Sequence, residues 1–140
     1  MGRASRKPSS VEVVVGETRQ ILRQARAAMV ASGTATIETA LMGCPMIVVY
    51  KTSTPTYLIG RMLVKVSHLG MVNIVAGRTL CPEFIQGAAT PEAMAAATAP
   101  LIGDTPERAA MVAGLQEVRR ALGEGGAAER AADIVLAELS

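Results

Sequence analysis

Apolar and polar positions run in blocks along this chain, and the period of the blocks switches in a regular order. Val11 to Val15 is β-branched except for Glu12 and reads as a strand ended by Gly16. Ile21, Leu22 and Ala25 then recur at helical spacing with Arg19, Arg23 and Arg26 outside, so a helix opens at Glu17-Thr18. Ala27 to Ala31 reads as a short buried strand. Ser32-Gly33-Thr34 is a tight turn, a helix follows, and Gly43 with Pro45 stops it. Met46 to Tyr50 is the next buried strand. Thr56 to Lys65 reads as a helix, Met71 to Val75 as a short strand with one polar residue inside, and Cys81 to Gln86 as a short helix starting on Pro82.

The last third has helical signals only. Thr90-Pro91-Glu92 starts an Ala-rich helix stopped by Gly103, and Thr105-Pro106-Glu107 starts another that reaches Leu122. Each start combines a Thr cap, a Pro at the first helical position and an acid on the positive end of the dipole. A final amphipathic helix is expected over Ala127 to Leu139.

Strands alternating with helices, then helices alone, predict an α/β fold with a parallel sheet covered on both faces and a helical C-terminal tail. The expected division is an unstructured leader over 1–10, a parallel α/β core over 11–90 and C-terminal helices over 91–140. About four strands make a thin sheet, against the ~5–6 of an average one. Its first edge, Val11 to Val15, needs a partner. The chain therefore reads as the second half of a larger α/β domain.

Composition narrows the functions open to such a fold. Hydrophobic residues make up 50% of the chain but aromatic ones only 2%, so the core is aliphatic and no base-stacking platform for nucleic acid is available. The net charge of +2 implies no polyanion partner. One His and two isolated Cys do not make a metal site, and no cofactor is expected. Free thiols fit a reducing cytoplasm. No apolar run approaches the ~20 residues needed to span a bilayer.

Candidate chemistry gathers on the turn after Ala31. In parallel α/β sheets ligands sit at the carboxyl ends of strands. A helix starting there offers free N–H groups and a positive dipole end to an anion. Glu38 lies one helical turn beyond Thr34 on the same face. A carboxylate behind an anion site suits sugar hydroxyls beyond a phosphate. The plainer reading is that Ser32-Gly33-Thr34 only caps a helix and Glu38 is solvated.

Several stretches together resemble lipid-A-disaccharide synthase, a glycosyltransferase family with the two-lobed GT-B fold. They are Ala31 to Glu38, Pro45 to Lys51, Leu63 to Val66, Val72 to Arg78, Pro82 to Gln86 and Thr90-Pro91-Glu92, in the family's order. The resemblance covers about Val11 to Leu139 and implies the last third or so of a longer chain: a Rossmann-like half-domain, the C-terminal lobe. It implies a donor site for a UDP-sugar lipid, UDP-diacylglucosamine. The reaction implied transfers diacylglucosamine to a lipid sugar phosphate acceptor, diacylglucosamine 1-phosphate, on the cytoplasmic side of the inner membrane. The catalytic base is expected in the N-terminal lobe, so the chain is expected to be inactive without that lobe or a second chain.

On this resemblance Ser32, Gly33, Thr34, Ala35 and Thr36 cradle the diphosphate, Glu38 holds ribose hydroxyls, and Asn73, Gly77 and Arg78 line the cleft. For Asn73 and Arg78 the plainer reading is a buried Asn satisfied by loop backbone and an ordinary surface Arg. The pattern departs from the family at Ser67, where Pro is usual, and at Thr79, where many relatives carry Glu. His68 reads as a loop residue, and Cys44 and Cys81 as small fillers. Tyr57 to Val72, with Lys51, Arg61 and Lys65, suits either a peripheral membrane contact or packing on the sheet. An alternative function is a non-catalytic nucleotide-binding or dimerising α/β fragment.

Overall fold

A computed structural model describes residues 10–53, 55–56, 58, 67–123 and 136–137. Its elements are α1 (Thr18–Gln24), β1 (Ala28–Ala31), α2 (Thr34–Leu41), β2 (Met46–Tyr50), α3 (Met71–Ala76), β3 (Glu83–Ile85), a 3-10 turn (Gln86–Ala88), α4 (Pro91–Ile102) and α5 (Pro106–Leu122). The three strands form one parallel sheet in the order β1-β2-β3. The expected helices over 56–65 and 127–139 and the leader over 1–9 lie largely or wholly outside the described residues.

The sheet is centred on β2. Met46, Ile47 and Val48 are consecutive and all fully buried. Neighbouring residues of a strand point to opposite faces, so both faces are covered here. Helix α5 packs on α2, α3 and α4, and α4 packs on β2. Leu115 and Val118 of α5 enter the same core as Val30, Val72 and Leu101. Both Thr-Pro-Glu starts cap as their chemistry demands: Thr90 accepts from the Ala93 N–H and Thr105 from the Arg108 N–H.

Three sequence expectations are corrected. Val11 to Val15 is not a strand; its valines are exposed, Val13 and Val15 at 88% and 89%. Strand propensity takes effect only through pairing, and no described strand lies beside it. Met71 to Val75 is helical, not extended. Met71 and Ile74 face outward while Val72 and Asn73 are buried, a three-residue spacing that a short apolar run conceals. Gly77 ends this helix at φ 66, a left-handed position that suits glycine. Conversely, Glu83 to Ile85 is a strand and not a helix. It pairs with Val48 to Tyr50, and Pro82 stands just before it, where its carbonyl accepts the Val48 N–H and its missing N–H costs nothing.

Candidate functional site

Parallel order puts the carboxyl ends of β1, β2 and β3 on one edge, where the segments beginning at Ser32, Lys51 and Gln86 meet. Ser32 still belongs to the ladder through its N–H, which donates to the Val49 carbonyl at 2.9 Å. Gly33 then turns the chain at φ 135, ψ −159, a backbone that residues with side chains rarely adopt. Helix α2 starts directly after it, with no side-chain cap on its first turn. Thr34 and Ala35 are exposed at its tip. An ideal Cβ on Gly33 would meet nothing within 4 Å, so the approach to this turn is open.

The remaining predicted residues of α2 divide by face. Thr36 is fully buried; its Oγ1 donates to the Gly33 carbonyl at 2.8 Å and meets the Val72 N–H at 3.4 Å. Its hydroxyl therefore holds the turn from inside. Glu38 is partly exposed and pairs with Arg19 of α1 at 2.8 Å. A cavity of about 390 Å³ lies between these elements, lined by Arg19, Thr34, Ile37, Glu38 and Met71 among others. Thr34 and Glu38 thus share one opening, as one helical turn of spacing requires.

The structure does not bring Gly77 and Arg78 to this edge. Helix α3 runs back from the carboxyl side of the sheet, so the residues after it return to the amino side. Arg78 pairs there with Glu117 of α5 at 2.7 Å. With Thr79 it lines a different cavity, of about 640 Å³, together with Leu80, Pro82 and Met111. Asn73 lies between the two ends and is fully buried. Its Oδ1 accepts the Leu80 and Cys81 N–H groups at 2.9 and 2.8 Å; its Nδ2 donates to the Cys81 carbonyl and to Glu83 at 2.7 and 2.8 Å. An amide has two donors and two acceptor positions, and all four are used internally.

Two polar residues beside this edge carry no site role in the sequence reading, where they enter only within the stretch Pro82 to Gln86. Gln86 follows β3 at φ 52, left-handed without being glycine. Its Oε1 accepts the Thr52 N–H at 2.7 Å and its Nε2 donates to the Thr52 carbonyl at 2.9 Å, so it pins the turn after β2. Glu83 is nearly buried beside His68. The available signal was the pair of polar residues bracketing Phe84-Ile85, which a helical reading of the segment hid. Burial raises both thiol pKa values: Cys44 rises despite Arg108, and Cys81 reaches about 12 with Glu83 adding to the effect. Neither is poised as a nucleophile. Among the described residues no group of three or more His, Cys, Asp or Glu can hold a metal, and no helix is long and apolar enough to cross a membrane.

Comparison with known proteins shows the family of the chain. A family model described as lipid-A-disaccharide synthetase matches residues 3–137. The chain is similar to the lipid-A-disaccharide synthase of Syntrophus aciditrophicus, with 51% identity over 133 residues, which is 95% of this chain and 35% of that protein. Against the synthase of the same name from Anaeromyxobacter sp. strain K the identity is 48% over the same shares. Against that of Geobacter metallireducens it is 43%, covering 91% of this chain and 34% of the relative. The chain spans about a third of the length of the curated relatives it matches.

Proposed function

Because the chain belongs to the lipid-A-disaccharide synthetase family, we propose that it forms the donor-binding part of such an enzyme. The donor is UDP-diacylglucosamine, and the group transferred to diacylglucosamine 1-phosphate is the diacylglucosamine. UDP is the leaving group. In this reading the tip of α2 faces the diphosphate and Glu38 takes the ribose hydroxyls.

The observation that supports it best is the junction of β1 and α2. Gly33 opens a turn at a strand's carboxyl end, and no side chain caps the helix that follows. Uncapped N–H groups and the dipole there favour an anion. Glu38 lies one turn further on in the same opening. Its pairing with Arg19 does not oppose the role. That ion pair is solvent-exposed, and such pairs contribute at most about 1 kcal/mol. A ribose can replace or join the guanidinium at little cost.

A base near the acceptor hydroxyl is required for transfer. Neither His68, beside Glu83, nor the buried thiols supply one at the open edge. Transfer is accordingly assigned to this chain together with a complementary lobe that carries the base. The acyl chains of both substrates call for a peripheral contact with the inner membrane.

Calorimetric titration of the 140-residue chain with UDP tests the reading. Binding is expected in the wild type, and Glu38→Ala should weaken it about tenfold or more, since hydrogen bonds to a charged group contribute roughly 1.5–3 kcal/mol. Arg19→Ala serves as the control and should leave the melting temperature within a few degrees, about 1 kcal/mol or less. Unchanged UDP affinity in Glu38→Ala would sink the role of Glu38. One observation favours the second reading, a dimerising α/β fragment: Val13 and Val15 expose apolar surface, and so does Met29 on β1, the terminal strand of the sheet. Sedimentation showing a dimer, with no UDP binding, would decide for it.

A further inference from the structure

The side chain of Glu83, the first residue of β3, is only 10% exposed. A carboxylate so far from water is tolerated only with partners. Its Oε2 accepts the Leu69 N–H at 3.0 Å, and its Oε1 accepts the Gly70 N–H at 2.9 Å and the Asn73 Nδ2 at 2.8 Å. His68 Nδ1 stands 4.0 Å from the same oxygen. Gly70 has φ −73 and ψ 122, which any residue can adopt. A side chain there would be tight: a Cβ would lie 3.1 Å from Glu83 Oε1 and 3.3 Å from Val48 Cγ2, so those side chains would have to give by a few tenths of an ångström. Residues 68 to 73 are therefore shaped around this carboxylate.

The same segment is gripped from its other side by the residues that form the α2 turn. Ser32 Oγ donates to the Leu69 carbonyl at 3.0 Å. Thr36 Oγ1, which also bonds the Gly33 carbonyl, meets the Val72 N–H. Leu69-Gly70 is thus a two-sided bracket, with Glu83 on its N–H groups and Ser32 on its carbonyl.

We propose that Glu83 is a positioning residue of the donor site. It fixes Leu69-Gly70, and through the Leu69 carbonyl it fixes Ser32 and the Gly33 turn that aims the first N–H groups of α2. Glu83 does not touch the nucleotide. The inference rests on the reading of the α2 tip as the diphosphate site, but the linkage itself is measurable without ligand.

Two variants of the whole chain test it. Glu83→Gln keeps the size and sets an NH2 group against a backbone N–H donor. Glu83→Asp keeps the charge and withdraws both oxygens by one methylene. Leu115→Ala, which opens the core beside the C-terminal end of α2 and removes no hydrogen bond of the bracket, controls for general loss of stability. The amide resonances of Ser32, Gly33 and Thr34 are expected to shift in both Glu83 variants and to stay in place in Leu115→Ala. UDP affinity is expected to fall at least tenfold in the Glu83 variants and to hold in the control. If Glu83→Gln does not fold, Glu83→Asp carries the test. Unmoved resonances at 32–34 overturn the linkage, and an equal loss of affinity in Leu115→Ala overturns the positioning role. A wild type that does not bind UDP overturns the donor reading instead, while the resonances still decide the linkage.

Discussion

Asn73→Ala is expected to lower the melting temperature of this chain by about 10 °C or more. The substitution removes four hydrogen bonds made inside a fully buried site. It leaves the Leu80 N–H, the Cys81 N–H and the Cys81 carbonyl without their side-chain partner, and it takes one donor from Glu83. An orphaned buried polar group costs about 1–3 kcal/mol, and a broken buried network belongs to the few mechanisms that reach roughly 3–5 kcal/mol in one substitution. In a domain of this size each 1 kcal/mol shifts the midpoint by roughly 2–4 °C. Thermal unfolding followed by circular dichroism measures the effect. A shift of less than about 3 °C would show that the loop reforms its bonds with water and that Asn73 is not the tie between α3 and β3. Asn73→Asp is a milder companion. It keeps Oδ1 for the two N–H groups but sets a second oxygen against the Cys81 carbonyl and Glu83, so it too should destabilise.

This expectation separates two meanings of an important residue. Loss of activity in an Asn73 variant would follow from loss of the fold around Leu80 to Glu83. Loss in Glu38→Ala would follow from weaker donor binding in a chain that still folds. Comparing melting temperature with UDP affinity for the two variants distinguishes them.

The second large effect is a loss of stability in alkali caused by one thiol. Burial holds the Cys81 thiol protonated, its pKa pushed from an ordinary 9.0 up to about 12, with Glu83 reinforcing the shift. The folded form therefore binds this proton more tightly than the unfolded form. Stability from this source is complete below pH 9.0 and is lost as pH rises toward about 12, because the unfolded chain releases the proton first. Each pH unit in that window is equivalent to about 1.4 kcal/mol, so about 3 kcal/mol is at stake by pH ~11. Other groups titrate there as well. The measurement is therefore the difference between wild type and Cys81→Ala, in denaturant unfolding at several pH values from the neutral range upward. The wild type should lose more stability with pH than the variant. Parallel curves would place Cys81 in contact with water. The same burial predicts that neither Cys81 nor Cys44 reacts with a disulfide reagent at pH ~8 until the chain unfolds.

The sequence alone carried the frame of the site. Ala28 to Ala31 and Met46 to Tyr50 are short apolar runs bounded by glycine, serine and proline, and these local signals are enough to place a strand, a turn, a helix and a second strand. The Thr-Pro-Glu starts and glycine stops of α4 and α5 are equally local: cap, first-turn proline and dipole act within four or five residues. The position of Glu38 one turn after Thr34 follows from helical geometry by itself. The resemblance to the synthase family was legible in the order and spacing of short motifs, and the family match agrees with it.

Tertiary structure decided everything that depends on a partner distant in sequence. Val11 to Val15 has the residues of a strand, yet it is unpaired here, because a strand exists only through the hydrogen bonds of its neighbour. Met71 to Ala76 and Glu83 to Ile85 are too short for periodicity to tell helix from strand. Their states were set by Asn73 and Glu83 finding each other and by β2 offering its free edge. The same contacts sent Arg78 to the amino side of the sheet and left Ser32 to Glu38 at the carboxyl side. Local chemistry thus placed the tip of α2. Which residues stand behind that tip was fixed only when the loop at Leu69-Gly70 closed between Ser32 and Glu83, since those bonds join residues 37 and 14 positions apart.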